Sequence, residues 1–183
     1  MVEQVLAFAG ADGGVPQRRK LIQVETLLRD AAEEAGLEAA GLTVLLEAEP
    51  GLHVHGDALM LAAALRNLLA NLRKYAAEGG FARLAARRVD ETAEILVEDR
   101  GPGVSPGELR HLFEPFFRGR GASESQAAGS GIGLALVRRI AEAHGGRVEA
   151  RPLERGIAFV LRLPAAAAED VVAEAAPVRG AAG

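Results

Sequence analysis

Apolar residues recur along this chain at two spacings, one that suits helices and one that suits strands. Leu61, Leu65, Leu68 and Leu72 repeat every three or four positions and predict a long amphipathic helix. Asp57 is its N-cap, and it runs to about Ala77 before Gly79-Gly80 stops it. Leu27, Leu28, Ala31 and Ala35 predict a second helix over residues 25–40, with Gly36 weakening its last turn. A third, over residues 131–143, closes at His144-Gly145-Gly146. Ser105 caps a short one that reaches Leu112. Brief apolar runs predict strands at residues 21–24, 42–48 and 52–55. Phe81–Val89 and residues 93–98 flank Asp90-Glu91-Thr92 and predict a hairpin; residues 147–151 and 157–163 predict another.

The two ends read differently. Val2, Val5, Leu6 and Ala9 have helical spacing over a run too short to stand alone. They read as the end of a longer upstream helix, followed by a linker with Gly13-Gly14 and Pro16. From Ala165 onward the chain is rich in Ala, Glu and Gly without an apolar face, and it reads as a largely disordered tail. The expected division is residues 1–16 as helix end and linker, 17–164 as a folded domain and 165–183 as tail.

Composition narrows the function classes. A chain of 183 residues, 49% hydrophobic, fits one domain plus extensions. Its net charge of −4, with scattered basic residues, argues against a nucleic-acid partner. The absence of cysteine rules out disulfides and thiolate metal sites and fits a reducing cytoplasm. No apolar run approaches the roughly 20 residues of a membrane span, so no direct membrane contact is expected.

Candidate chemistry begins on the long helix. Asn67, Asn71 and Lys74 form a second stripe, roughly 100° from the leucines, with Tyr75 between the two. Asparagine is a poor helix former, so two of them one turn apart invite a reason. A carboxamide offers a neutral oxygen to a hard cation such as Mg2+ that bridges phosphates. The Lys74 ammonium would neutralise phosphate charge, and Tyr75 would lie against a base or sugar. Asp99 ends the apolar strand Ile95-Leu96-Val97 and needs a donor, which the amino group of adenine supplies. Gly101 and Gly103 permit φ > 0 and leave room for a flat base. Gly129-x-Gly131-x-Gly133 opens a helix, where backbone N–H groups bind phosphate oxygens. That spacing is also Rossmann-like, but no strand directly precedes it and no βαβ unit follows.

Phe113, Phe116 and Phe117 read as the apolar anchor of a lid. Arg118 reaches phosphates if that lid closes, and residues 119–128 lack any apolar period. Each signal has an ordinary alternative: a polar helix face, an Asp-x-Gly turn, helix-packing glycines, a solvated arginine. His53 and His55 alternate on one strand face, His111 is on the lid side, and His144 sits at a helix C-terminus, where a cation is favourable. None is assigned as a phosphoacceptor.

In this order the motifs resemble the ATP-binding catalytic domain of bacterial sensor histidine kinases, a family shared with Hsp90, DNA gyrase B and MutL. Residues 67–75 resemble its N box, 98–104 the first glycine box, 113–118 the F box and 129–136 the second glycine box. The resemblance implies an α+β fold of the Bergerat type. That is a two-layer α/β sandwich with helices on one face of a mixed, mostly antiparallel sheet. It implies ATP and Mg2+ as cofactors. Asn71 would be the metal ligand, Lys74 a phosphate contact and Tyr75 a wall of the site, with Asn67 the other N-box polar position. Asp99 would recognise adenine. Gly101 and Gly103 would shape the base pocket, and Gly129, Gly131 and Gly133, followed by Leu134, would hold phosphates. Leu72 departs from the family's usual alanine; since it lies on the apolar stripe, a packing adjustment is expected.

The resemblance further implies γ-phosphoryl transfer to a histidine on an upstream dimerisation domain, and a response regulator downstream. With the acceptor elsewhere, no catalytic residue is assignable within the chain, which by itself reads as a monomer. Three other readings share the fold. An ATP-hydrolysing clamp would need a Glu where Asn67 stands. A serine kinase of the anti-sigma-factor type and a nucleotide-binding scaffold without transfer activity remain open.

Overall fold

The computed structural model describes residues 19–75, 79–119 and 130–175. Its elements in chain order are β1 (Lys20–Gln23), α1 (Val24–Ala35), β2 (Thr43–Ala48), β3 (His53–Gly56), α2 (Ala58–Tyr75), β4 (Phe81–Val89), β5 (Thr92–Asp99), α3 (Pro106–Leu109), α4 (Gly133–Ala143), β6 (Arg147–Pro152), β7 (Ile157–Pro164) and α5 (Ala168–Ala175). Five strands form one sheet in the order β2-β4-β5-β7-β6. The β2–β4 pair is parallel and the other pairs are antiparallel, while β1 and β3 make a separate antiparallel pair.

Strand alternation decides which face the helices cover. Ala82, Leu84 and Ala86 of β4, with Ala93, Ile95 and Val97 of β5, are buried on the inner face. Leu27, Leu28 and Ala31 of α1, the Leu61-Leu65-Leu68-Leu72 stripe of α2, and Leu136, Val137 and Ile140 of α4 join them in one core. Each fully buried leucine contributes roughly 1.5–3 kcal/mol relative to exposure. The result is the expected α+β sandwich with helices on one face.

The outer face carries an ion-pair ladder. Glu94 meets Arg87 at 3.0 Å and Arg162 at 2.6 Å, Arg162 meets Glu149 at 2.8 Å, and Glu149 pairs with Arg151. Ala158 and Val160 of the interior strand β7 are buried beside these long side chains, whose apolar stems substitute for a second helical layer. This explains why β7 reads as an almost unbroken apolar run.

Several boundaries differ from expectation for local reasons. α1 stops at Ala35 rather than 40, because Gly36 takes the left-handed conformation (φ 60°) and its N–H bonds Glu33 O. The short helix after Ser105 ends at Leu109, although its Ser105–Glu108 capping box is formed. The closure of α4 is as expected: the Gly145 and Gly146 N–H groups reach Glu142 O and Ala141 O. The tail from Ala165 is corrected over its first part. Ala165 bridges Val54, the Ala166 N–H donates to His53 O, and α5 follows, so backbone pairing supplies the order that the side-chain pattern does not advertise. The expected helix end at residues 2–9, the linker before Arg19 and residues 176–183 lie outside the described residues. Among the described residues no helix is long and apolar enough to cross a membrane.

Candidate functional site

Helix α2 sets the first wall. Asp57 Oδ1 accepts the N–H groups of Leu59 (3.0 Å) and Met60 (3.2 Å), as an N-cap should. Burial of the leucine stripe fixes the helix's rotation and leaves Asn67, Asn71 and Lys74 half-buried along one edge. The Asn67 Nδ2 donates to Ala63 O at 2.8 Å, one turn back. Its Oδ1 faces Gly133, where an added Cβ would stand only 2.7 Å away. The Asn71 carboxamide makes no side-chain hydrogen bond to a described residue. Lys74 Nζ lies 4.9 Å from the centroid of the Tyr75 ring, and Tyr75 is 36% exposed at the helix end. Leu72 is 1% exposed, so the departure from alanine is absorbed in the core as expected.

The second wall is the turn after β5. Asp99 is 3% exposed. Burial pushes its carboxyl above the ordinary aspartate range; the N–H groups of Gly101 (2.7 Å to Oδ1) and Ile157 oppose that rise, and the neighbouring Glu98 charge adds to it. A side chain at Gly101 would run into Tyr75 O at 2.5 Å, so this turn and the end of α2 touch. A Cβ at Gly156 would stand 1.9 Å from Asp99 O, and one at Gly103 (φ 73°) 2.9 Å from Gly156 O. The β6–β7 turn therefore buttresses the Asp99–Gly103 turn. Gly156 and Ile157 escaped the sequence reading, since nothing local marks a glycine in a hairpin as a neighbour of Asp99.

The third wall joins the F-box segment to the turn that opens α4. Gly131 sits at φ 70°, its carbonyl accepts the Phe116 N–H at 2.9 Å, and an added Cβ would meet the Phe116 carbonyl carbon at 2.7 Å. The three phenylalanines do not act alike. Phe113 meets Phe159 edge-on at 6.3 Å, and Phe117 lies 5.7 Å from the His111 ring. Phe116 is 73% exposed at φ 67°, so it is not part of the expected anchor. Arg118 is exposed, and Leu134 is half-buried against the core. Gly129 and residues 120–128 of the expected lid lie outside the described residues.

Asn67, Asn71, Lys74, Tyr75, Asp99, Gly101, Gly103, Gly131 and Gly133 are thus linked through contacts of α2 with both glycine turns. The histidines are employed elsewhere. His53 Nδ1 bonds Gly51 O at 2.8 Å and His55 Nε2 bonds Asp170 Oδ2 at 3.0 Å. His111 pairs with Glu114. His144 is corrected: burial lowers its pKa, against the pull of Ile140 O, so the ring is neutral rather than the helix-terminal cation expected. Among the described residues no cluster of three His, Cys, Asp or Glu is placed to hold a metal. A divalent cation here would take a neutral oxygen from Asn71 and its remaining ligands from phosphate and water, which suits Mg2+. An open hollow lined by Arg83, Arg87, Glu94 and Arg151 lies on the opposite face of the sheet and takes no part.

The fold has counterparts among known proteins. The profile of the histidine kinase-, DNA gyrase B- and HSP90-like ATPases matches residues 56–167. The sensor-like histidine kinase SenX3 of Mycobacterium tuberculosis is 37% identical over 148 residues, which cover 79% of this chain and 36% of SenX3. The sensor histidine kinase CusS of Escherichia coli is 34% identical over 173 residues, covering 90% and 35%. The chain spans about a third of the length of these curated relatives. Among solved structures, the mycobacterial sensor histidine kinase MprB superposes with a TM-score of 0.73 at 28% identity, over 80% of this chain and 98% of that one. Full-length ShkA in complex with AMPPNP gives 0.76 at 29%, over 91% and 35%. With more than half its length matched by the profile, the chain belongs to the histidine kinase-, DNA gyrase B- and HSP90-like ATPase family.

Proposed function

We propose that this chain is the ATP-binding catalytic domain of a two-component sensor histidine kinase. One observation carries the reading: a half-buried Asn-Lys edge on α2 meets the turn after the buried Asp99 carboxylate, where Gly101 abuts the Tyr75 carbonyl, and the glycine-opened start of α4, where Gly133 abuts the Asn67 side chain. ATP supplies the γ-phosphoryl group, and Mg2+ neutralises the charge that the transfer develops. Asp99, fixed by the Gly101 and Ile157 N–H groups, accepts from the adenine amino group. Asn71 offers a metal ligand, and Lys74 and Arg118 offer charge to the phosphates. Gly129, Gly131 and Gly133 let backbone N–H groups approach those phosphates, and Leu134 closes the turn from the core side. Asn67, turned back onto Ala63, offers no proton acceptor for water, which disfavours a hydrolytic clamp. The acceptor histidine belongs to dimerisation helices of a longer parent protein, and a response regulator takes the phosphoryl group onward.

Titration of the chain with ATP, with and without Mg2+, tests the site. Asn71→Ala is expected to abolish the Mg2+-dependent part of the affinity, and Asp99→Asn to weaken ATP while sparing discrimination among phosphates. Equal binding by wild type and both variants would reject the assignment. Adding the dimerisation helices in trans is expected to yield acid-labile phosphohistidine; the chain alone is expected to turn over little ATP.

A further inference from the structure

Helices α2 and α4 touch at two places far apart along their lengths. At one end Gly133 lies against the Asn67 carboxamide. At the other, His144 Nδ1 donates to Ile140 O at 2.7 Å, which fixes the tautomer and leaves Nε2 to accept the Asp57 N–H at 3.1 Å. The helices therefore run antiparallel, and the two contacts are separated by about 15 Å of helix. The imidazole is seated tightly: a Cβ on Gly56 would stand 2.8 Å from His144 Cδ2. The charged groups around it are Arg19, which reaches Ala143 O from the segment before β1, and Asp57 at the start of α2.

We infer that His144 is a positioning residue, which locks the lengthwise register of α2 against α4 and so sets the distance between Asn67-Asn71 and the Gly131–Gly133 turn. The inference rests on the nucleotide-site reading but concerns the phosphate and metal end alone. Asp99 is carried by β5 and held by the Gly101 and Ile157 N–H groups, whereas the Asn67–Gly133 contact is made by the two helices themselves. A neutral acceptor is what the lock needs, and burial keeps the ring in that state.

The test compares wild type, His144→Ala and His144→Gln, whose amide oxygen can accept the Asp57 N–H. Two-dimensional NMR of the chain without nucleotide is expected to show the Asn67 side-chain amide and the Gly133 N–H shifted in His144→Ala, the Ile157 N–H on β7 unmoved, and both shifts reversed in His144→Gln. Titrations are expected to show Mg-ATP affinity down about tenfold in His144→Ala, the size of one lost hydrogen bond, with adenosine affinity held and Mg-ATP affinity restored in His144→Gln. Unmoved Asn67 and Gly133 signals, or equal losses for Mg-ATP and adenosine, would overturn the inference. If those signals move as expected while wild type binds no nucleotide, the register lock stands and the nucleotide reading fails.

Discussion

Burying a carboxylate beside the charge of another carboxylate costs free energy, and Asp99, next to Glu98, is in that position. Its folded pKa lies above the unfolded value of about 3.9. The stability it contributes is therefore present below that value and lost as pH rises through the folded pKa. At neutral pH Asp99→Asn is expected to unfold at or above the wild-type temperature while binding ATP less well, with the stability gap closing near pH 4 on the scale of that unfolded value; a clear loss of stability at pH 7 would refute this. Gly133 poses the opposite trade. Helix propensity favours Gly133→Ala by less than the interior value of about 1 kcal/mol, since Gly133 is the first residue of α4, whereas the methyl would stand 2.7 Å from an Asn67 oxygen whose carboxamide is held by the bond to Ala63. Overpacking of that kind costs roughly 1–3 kcal/mol. The clash wins, and urea unfolding is expected to show Gly133→Ala less stable than wild type.

At the scale of elements, α2 keeps stability and chemistry on separate stripes. Leu68 is fully buried, and Leu68→Ala is expected to cost about 2–5 kcal/mol through the cavity it leaves. Asn71→Ala gains a few tenths of a kcal/mol of helix propensity and gives up no side-chain hydrogen bond to a described residue. Its thermal midpoint is expected to match or exceed that of wild type, although Mg2+-dependent binding is lost. Thermal melts beside titrations check the separation; a destabilised Asn71→Ala would mean that the amide edge serves the fold.

At the scale of the whole molecule, two sets of shifted groups make a two-stage response to acid the expected outcome. Burial depresses the His144 pKa, so its contribution is present above the unfolded value of about 6.5 and is lost as pH falls through the folded one. Burial would raise Glu94 and Glu149, but the Arg162, Arg87 and Arg151 guanidinium groups hold both below the ordinary glutamate range. Their contribution is present above about pH 4.3 and is lost further into acid. Denaturant midpoints measured against pH are expected to decline first below about pH 6.5 and then again below the glutamate value. His144→Gln is expected to remove the first step and leave the second. Asp99 gains stability over part of the same range in both proteins, so the wild-type minus His144→Gln difference is the readout, and a difference that stays flat below about pH 6.5 would contradict the assignment of a neutral, buried His144.

Periodicity and turn chemistry made most of the elements legible, because helix stripes, strand alternation and glycine stops are local properties of the backbone. The Asn67-Asn71-Lys74 edge and both glycine turns were readable for the same reason: few residue types satisfy those backbone and donor requirements. Contacts between distant segments were not readable. Asp57 and His144 are 87 positions apart, and nothing near either announces the bond between them. Gly156 supports Asp99, Phe116 turns outward and Ala165–Ala166 pairs with β3 because of where the packed sheet brings those backbones. Local sequence determined which elements form and which chemistry they carry. The packing of α2 and α4 on the sheet decided which residues meet, since that choice rests on burial shared across the whole chain.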